Sequence, residues 1–542
     1  MNYDLIVHNG TVIDGSGAPR VRADVAVKDR KIAVVAAPDE SAAALSAPRE
    51  IDAAGLIVAP GFIDLHSHSD WVLPLPDHGE ILRPFLMQGV TTIVTGNCGF
   101  SVAPIRRERT RMLDESGRLC AERPFDWQWD DVAGFANCLR SAGLAMNMAH
   151  LAGHGSIRLS VMGGNPNAPD AEQLQTMQAM VERAMADGAV GLSTGLGYFP
   201  GMIAKPPELT ALARVAAAAG GVLTSHLRAY GTRSLFFESQ EPHNLLAIRE
   251  MAEVARAAGV PLQVSHLIFV GRRTWRTVEQ ALAEIERHRN AGVDIAFDTF
   301  PYTCGNTTIR IIFPSAAQTG LEKTLDSADG WAKLKAGFAP LSGFIAEAIQ
   351  LMWAVKPELR HLEGKFFGQI AAELGLDPID AYLTIARESG TRARVLIHLY
   401  SGDASDEHAL QAAMKHPLNL FEMDTILTSH GHQNPASFGT YPRIMGHYVR
   451  ELGLLTLEDA VHKATGMAAE RMRLPGRGLI RPGYGADFVV FNPETIASGA
   501  DAETPSVEPA GIEHVLVNGT AMVADGKWCG SGIAPGEWVS RR

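Results

Sequence analysis

Gly61-Phe62-Ile63-Asp64-Leu65-His66-Ser67-His68-Ser69-Asp70 carries an apolar run into two histidines one residue apart. Successive side chains of a strand point to opposite faces, so His66 and His68 fall on one side. The run reads as a buried strand, and the pair stands at its C-terminal end, where two converging imidazoles can grip one metal ion. Taken alone, a His-x-His pair is more readily read as two surface histidines after a turn. Its meaning depends on what the rest of the chain brings to strand ends.

The middle of the chain alternates short apolar segments rich in β-branched residues with Ala-rich helical stretches. Predicted strands end near His66, Asn97, His150, Thr194, His226, His266, Asp298 and Asp424. Predicted helices run from Ala171 to Asp187, Pro207 to Ala219, Leu245 to Ala258 and Thr277 to Ala291. Each stops at a glycine (Gly188, Gly220, Gly259, Gly292), the residue favoured at a helix C-terminus. Strand-helix alternation implies a parallel sheet, and about eight units over roughly 400 residues imply a (β/α)8 barrel with insertions. The competing doubly wound sheet lacks its Gly-x-Gly-x-x-Gly after an early strand. Residues 303–365, with Trp331, Phe338, Phe344 and Trp353, break the rhythm and read as a mostly helical insertion over the barrel mouth. The apolar run Arg394 to Tyr400 leaves the last strand's assignment open.

Both ends of the chain are β-rich. Asp4 to Gly15 reads as two short strands around Asn9-Gly10, and Asp24 to Val35 as two more. Gly485 to Asn492 and Ile512 to Gly519 repeat that texture. Short sheets at each end cannot bury separate cores. Residues 1–58 and 476–542 are therefore expected to form one small β-sandwich beside a barrel of residues 59–475.

The 542 residues carry 48 basic and 60 acidic side chains, a net charge of −12. With no basic block, nucleic acid is not an expected partner. The cysteines, Cys98, Cys120, Cys138, Cys304 and Cys529, are odd in number and unpaired in spacing, which suits a reducing, cytoplasmic setting rather than a disulfide framework. The N-terminus reads without an export signal, and no apolar run reaches the roughly 18 residues of a membrane span.

Four further polar residues fall where predicted strands end. Cys98 follows Val94-Thr95-Gly96-Asn97. Ser225-His226 and Ser265-His266 close the fifth and sixth strands, and Asp424 closes the last. Strand C-termini of a closed barrel open onto one face. His66, His68, Cys98, His226, His266 and Asp424 would then meet in one pocket, with thiolate and imidazole suiting zinc and the carboxylate free to take a proton. A lone buried cysteine or a lone Ser-His is ordinarily core; the weight lies in the set. His150 and His154, near the third strand's end, read as hydrogen-bonded structural histidines.

The chain resembles the metal-dependent amidohydrolase superfamily and, within it, the N-acyl-D-amino-acid deacylases (D-aminoacylases). The motifs that carry the resemblance span nearly the whole length. They are Asp14-Gly15-Ser16-Gly17, Pro60 to His68, Gly96 to Ser101, Gly153 to Arg158, Gly191 to Tyr198, Asp298 to Tyr302, Gly439 to Arg443 and Pro482 to Asp487. The resemblance implies a (β/α)8 barrel with a small β-sandwich from both termini, acting as a deacylase on a small-molecule amide. It implies one tight zinc on Cys98, His226 and His266, and a second, weaker metal position at His66 and His68. Asp424 matches the family's catalytic aspartate, and Tyr198 a tyrosine near the scissile carbonyl.

Two departures bear on substrate. The family carries a lysine two residues after the second Ser-His, where this chain has Ile268. It carries His-Pro-Arg after the aspartate, where this chain has Asn434-Pro435-Ala436. With the tyrosine matching Tyr302, those two cations hold the substrate's α-carboxylate in the family, and alanine cannot replace a bidentate arginine. The family's Ser-Asp-Gly is Met423-Asp424-Thr425 here. The expected substrate is thus an amide lacking a free α-carboxylate, unless Arg310 supplies a substitute cation. Cyclic-amide opening and a non-catalytic metal-binding barrel are the alternative functions; a homo-oligomer is left open.

Overall fold

The computed structural model describes residues 3–37, 45–117, 120, 121, 123–313 and 320–541. Eight strands form one parallel sheet in chain order: Phe62–Asp64, Val90–Thr95, Asn147–Gly153, Gly191–Gly195, Val222–His226, Leu262–Val264, Ile295–Thr299 and Asn419–Phe421. All but the terminal His226 are buried throughout, as strands covered on both faces must be. A parallel bridge between Ser67 and Thr425 joins the first strand's end to the last. There the Asp424 N–H donates to the His66 carbonyl at 3.1 Å, and Asp64 Oδ1 accepts the Met423 N–H at 2.9 Å. The sheet thus closes into a (β/α)8 barrel at the seam between His66 and Asp424.

All eight predicted strands are present, with ends within three residues of expectation. The outer helices follow equally closely: Ala171–Ala186, Pro206–Ala218, His243–Ala258 and Val278–Asn290. Asp170 opens the first of these with a capping box, its side chain accepting the Gln173 N–H while Gln173 reaches back to the Asp170 N–H. Helix His243–Ala258 buries Leu245, Ile248, Met251, Ala252 and Ala255, a stripe at helical spacing, and ends on Gly259 in the left-handed conformation at φ 69°.

Strands from both ends of the chain share a second sheet. Its order is Lys527–Trp528, Thr520–Ala524, Ile512–Val517, Phe488–Phe491, Ile57–Pro60, Leu5–Val12, Val21–Lys28 and Lys31–Ala36, with Glu50–Asp52 beside Leu5–Val12. The antiparallel pair Ile57–Pro60 and Phe488–Phe491 joins the two ends. One local expectation is corrected. Asn9-Gly10 does not divide two strands; Leu5–Val12 is continuous and bulges there, with the register shifting between Val7 and Gly10. Asn9 takes φ 60°, and Gly10 lies so close to Val58 that a Cβ would meet it at 2.5 Å. The true tight turn is Asp29-Arg30, both left-handed at φ 50° and 68°, between Val21–Lys28 and Lys31–Ala36.

Residues 303–400 stand apart from the barrel rhythm. Helices Leu321–Asp326, Ala328–Phe338, Ser342–Ala348, Phe367–Leu374 and Pro378–Glu388 pack on a three-stranded antiparallel sheet. Its strands are Cys304–Thr308, Arg394–His398 and Ile349–Trp353, with Arg394–His398 in the middle. Ile309, Phe313, Phe338, Leu351, Phe367, Tyr382 and Val395 belong to a separate core there. The apolar run at Arg394 is therefore the centre of this sheet, and Asn419–Phe421 closes the barrel. Among the described residues no helix is long and apolar enough to cross a membrane.

Candidate metal centre

The six strand-end residues meet. Cys98 Sγ lies 3.1 Å from His66 Nε2, 3.7 Å from His226 Nδ1 and 3.5 Å from His266 Nε2, and the last two nitrogens are 3.0 Å apart. Asp424 Oδ1 stands 3.4 Å from His66 Nε2 and 3.6 Å from His68 Nε2. His66, His68, Cys98 and His266 are buried, while Asp424 keeps a fifth of its side chain exposed. Tetrahedral zinc places its nitrogens roughly 3.4 Å apart and sulfur roughly 3.6 Å from nitrogen, given bonds of about 2.05 and 2.3 Å. The Cys98 spacings to His226 and His266 lie close to the sulfur–nitrogen value, while the His226 and His266 nitrogens, 3.0 Å apart, stand nearer than the nitrogen–nitrogen value, so the donor set suits zinc in type. The donor atoms of His66, Cys98 and His266 also lie within 4.8 Å of one another. His66, His68 and Asp424 form an adjoining group whose donor atoms lie within 4.8 Å of one another.

The backbone is strained where it presents these groups. Cys98, His266 and Asp424 all take positive φ, at 56°, 34° and 43°, a region that costs a non-glycine residue energy and is kept where the surroundings over-determine it. At Gly96 the chain takes φ 77° and passes so near the Leu151 carbonyl that a Cβ would sit 2.1 Å from it. Only glycine permits that turn, and Asn97 ties it down by donating to the carbonyls of Leu65 and Val94. The His266 N–H donates to Asp298 Oδ1 at 2.5 Å, and Gln263 holds Oδ2 at 2.6 Å, so His266, just past the sixth strand, is anchored to the seventh strand.

Electrostatics prepare the centre for a cation. Burial alone would raise the Cys98 thiol, but the His66, His226 and His266 imidazoles outweigh it and hold the thiol well below its usual range. Burial likewise works to raise Asp424, and the charges of His66 and His266 with the His68 hydrogen bond reverse this, bringing it down to about 2. Together the Cys98 sulfur and the Asp424 carboxylate face four imidazoles, those of His66, His68, His226 and His266. His150 and His154 are structural: His150 bonds Thr95 Oγ1 and the Ala103 carbonyl, and His154 bonds Glu208 at 2.8 Å.

Tyr198 lies beside the centre, its ring 4.8 Å from that of His226, with its hydroxyl donating to the Cys98 carbonyl at 2.8 Å. Tyr302, Ile268 and Ala436 are brought together, buried in one apolar cluster with Phe300, Cys304, Met352 and Leu396 and flanked by Tyr230, Trp353 and Tyr400. The Tyr302 hydroxyl is shared with Ser498 Oγ at 2.9 Å. Arg310 pairs with Glu322 at 2.8 Å and Thr391 at 2.5 Å, contacts made within the 303–400 unit.

Two residues went unread in the sequence. Tyr230 donates to the Ser265 carbonyl, accepts the Leu227 N–H, and lays its ring 5.0 Å from His226 and 5.1 Å from His266. Glu422 is fully buried, and burial beside Asp298, Asp424 and Asp64 pushes its carboxyl well above the usual range. It sits two residues before Asp424, so the same period-two reading that paired His66 with His68 would have found it.

A family model described as amidohydrolase family matches residues 49–336 and 368–523. The chain is 35% identical to the N-acyl-D-glutamate deacylase of Alcaligenes xylosoxydans xylosoxydans, over 96% of this chain and 93% of that protein. Among solved structures it is similar to the N-acyl-D-glutamate deacylase of Bordetella bronchiseptica, complexed with zinc and a phosphonate mimic of the tetrahedral intermediate. The TM-score is 0.80 and the identity 32%, over the full length of both chains. It is similar also to a D-aminoacylase with a binuclear metal centre, described as activated by one metal and attenuated by the second. Here the TM-score is 0.81 at 32% identity, over 99% of this chain and 100% of that one.

Proposed function

The chain belongs to the amidohydrolase family, and within it to the N-acyl-D-amino-acid deacylases; from that premise we propose that it cleaves a linear amide at a zinc centre on Cys98, His226 and His266, in substrates without a free α-carboxylate. It is a hydrolase of carbon–nitrogen bonds outside peptides. The observation that carries the substrate reading is the apolar cluster. Where the family sets a lysine and an arginine, Ile268 and Ala436 are packed against Phe300, Met352 and Leu396. An ionised carboxylate brought there would lose its water without gaining an ammonium or guanidinium at either position. A neutral or aromatic amide suits that wall.

A zinc ion in the centre supplies a Lewis acid for the amide carbonyl and lowers the pKa of water toward neutrality. Asp424, ionised and open to solvent, is placed to take the proton from the attacking water and to hand it to the leaving nitrogen. Tyr198 exchanges the Cys98 carbonyl for the oxygen that gains charge in the transition state, which adds one aimed donor. His66 and His68 hold Asp424 at the seam and, with it, form the outer metal position.

A substrate panel at fixed zinc tests this reading. Neutral N-acyl aromatic amides are expected to exceed N-acetyl-D-methionine in kcat/KM by at least about 10-fold, the worth of one charge-assisted contact. The double variant Ile268→Lys with Ala436→Arg is expected to shift the preference back toward the free acid. Fast turnover of N-acetyl-D-methionine with a low KM, and none of the neutral amides, would sink the substrate reading.

A further inference from the structure

On the Nδ1 side of His66 the barrel interior holds three carboxyl groups, Asp64, Asp298 and Glu422, each at most 1% exposed. Asp298 accepts from the His266 N–H and from Gln263. Asp64 accepts the N–H groups of His66 and Met423 on Oδ1, while its Oδ2 has no hydrogen-bond partner among the described residues. Glu422 is left with less: neither of its oxygens has a hydrogen-bond partner among the described residues. A buried carboxyl left so costs its full desolvation, so the fold keeps it for something it does. Its Oε2 stands 3.7 Å from His66 Nδ1, and His66, Asp298 and Glu422 bring their donor atoms within 4.8 Å of one another.

The two sides of the His66 ring face different company. Nε2 points at Cys98 and Asp424, at 3.1 and 3.4 Å. When Nε2 ligates an ion, the neutral ring carries its proton on Nδ1, which must then find an acceptor. A shift of about 0.6 Å brings Glu422 Oε2 into hydrogen-bond range. Histidine ligands are commonly oriented by such a carboxylate, whose loss weakens metal binding by about 10- to 100-fold.

We propose that Glu422 is the positioning carboxylate of the outer metal position: it accepts the His66 Nδ1–H, fixes that ring with Nε2 toward Asp424, and tightens the hold of His66, His68 and Asp424 on a second divalent ion. This rests on the metal-centre reading above and is independent of the substrate reading.

The test is a zinc titration of the full-length protein by equilibrium dialysis with elemental analysis, repeated with cobalt so that the ligand field of each position is read separately. The wild type is expected to take two ions. Glu422→Gln, close to isosteric, is expected to keep the inner ion unchanged and to bind the outer one about 10- to 100-fold more weakly, with an altered cobalt spectrum for that ion alone. Unchanged outer affinity overturns the proposal. So does parallel weakening of both positions together with a lower melting midpoint, which marks a packing role, and so does a wild type that takes only one ion. A crystal structure of the zinc-loaded wild type decides the case even if the variant does not fold. A Glu422–His66 separation closing to about 3.2 Å or less supports the proposal, and one remaining beyond about 3.5 Å overturns it. Failure of the substrate panel leaves these metal readouts untouched.

Discussion

In the proposed mechanism Asp424 concentrates the chemistry in one side chain. Its backbone is left-handed, its N–H holds the His66 carbonyl across the seam, and its carboxylate faces two imidazoles. Asp424→Asn keeps the shape and removes the base. It is expected to lower kcat by about 10²- to 10⁴-fold while the inner zinc content, measured by elemental analysis, stays within error. Loss of that zinc in step with activity would instead make Asp424 a ligand of the inner ion. At this scale the sequence was most legible where two residues of one strand share a face, because period two is a property of the backbone. It was least legible where a side chain's partner is a backbone group far away. Nothing local shows that the Tyr198 hydroxyl meets the Cys98 carbonyl, or that Arg310 is taken by Glu322.

Among the elements, the outer helices are tied by ion pairs whose pH response can be read. Glu284, on helix Val278–Asn290, receives Arg249 from helix His243–Ala258 at 3.0 Å and Arg287 from its own helix. Burial works to raise its carboxyl, but the two arginines prevail and bring it down to about 2. The folded state therefore binds fewer protons than the unfolded chain from about pH 4.5 down to pH 2. The contribution is complete above pH 4.5 and is lost as pH falls toward 2. Glu284→Gln is expected to lower the melting midpoint by a constant amount at pH 5 to 7, with the gap to the wild type closing as pH approaches 2. A gap that persists unchanged at pH 2 would assign the effect to packing. Barrel strands and helices were readable because each repeats a local period, one closed by a glycine. The three-stranded sheet was not, since its strands lie some 45 residues apart with helices between them, and short apolar runs carry no mark of which neighbour they will pair with.

For the whole molecule, an ion held as proposed on Cys98, His226 and His266 would act as a cross-brace. Cys98 follows the second strand, His226 ends the fifth and His266 follows the sixth, so an ion there would link the second strand to strands distant from it in sequence. Such an ion binds the folded chain and not the unfolded one, and at a hundred times its dissociation constant it adds about 2.7 kcal/mol. Chelation is expected to lower the melting midpoint and zinc to restore it, followed by calorimetry at a fixed scan rate. A midpoint indifferent to chelator would mean that no ion braces the barrel. The shared sheet of the two termini was legible in outline, since the same strand-turn texture opens and closes the chain, whereas its order was not, because pairing partners are set by packing on the barrel rather than by composition.

That sheet has a consequence during synthesis. Ile57–Pro60 emerges early, yet its partner Phe488–Phe491 is made more than 400 residues later. Until translation is nearly finished, one edge of Ile57–Pro60 stays open, an aggregation-prone state of the nascent chain. The first barrel strand, Phe62–Asp64, follows directly and waits for Asn419–Phe421 to close its other side. Neither sheet can therefore close until a strand hundreds of residues further along has been made, a pairing that raises contact order and slows folding.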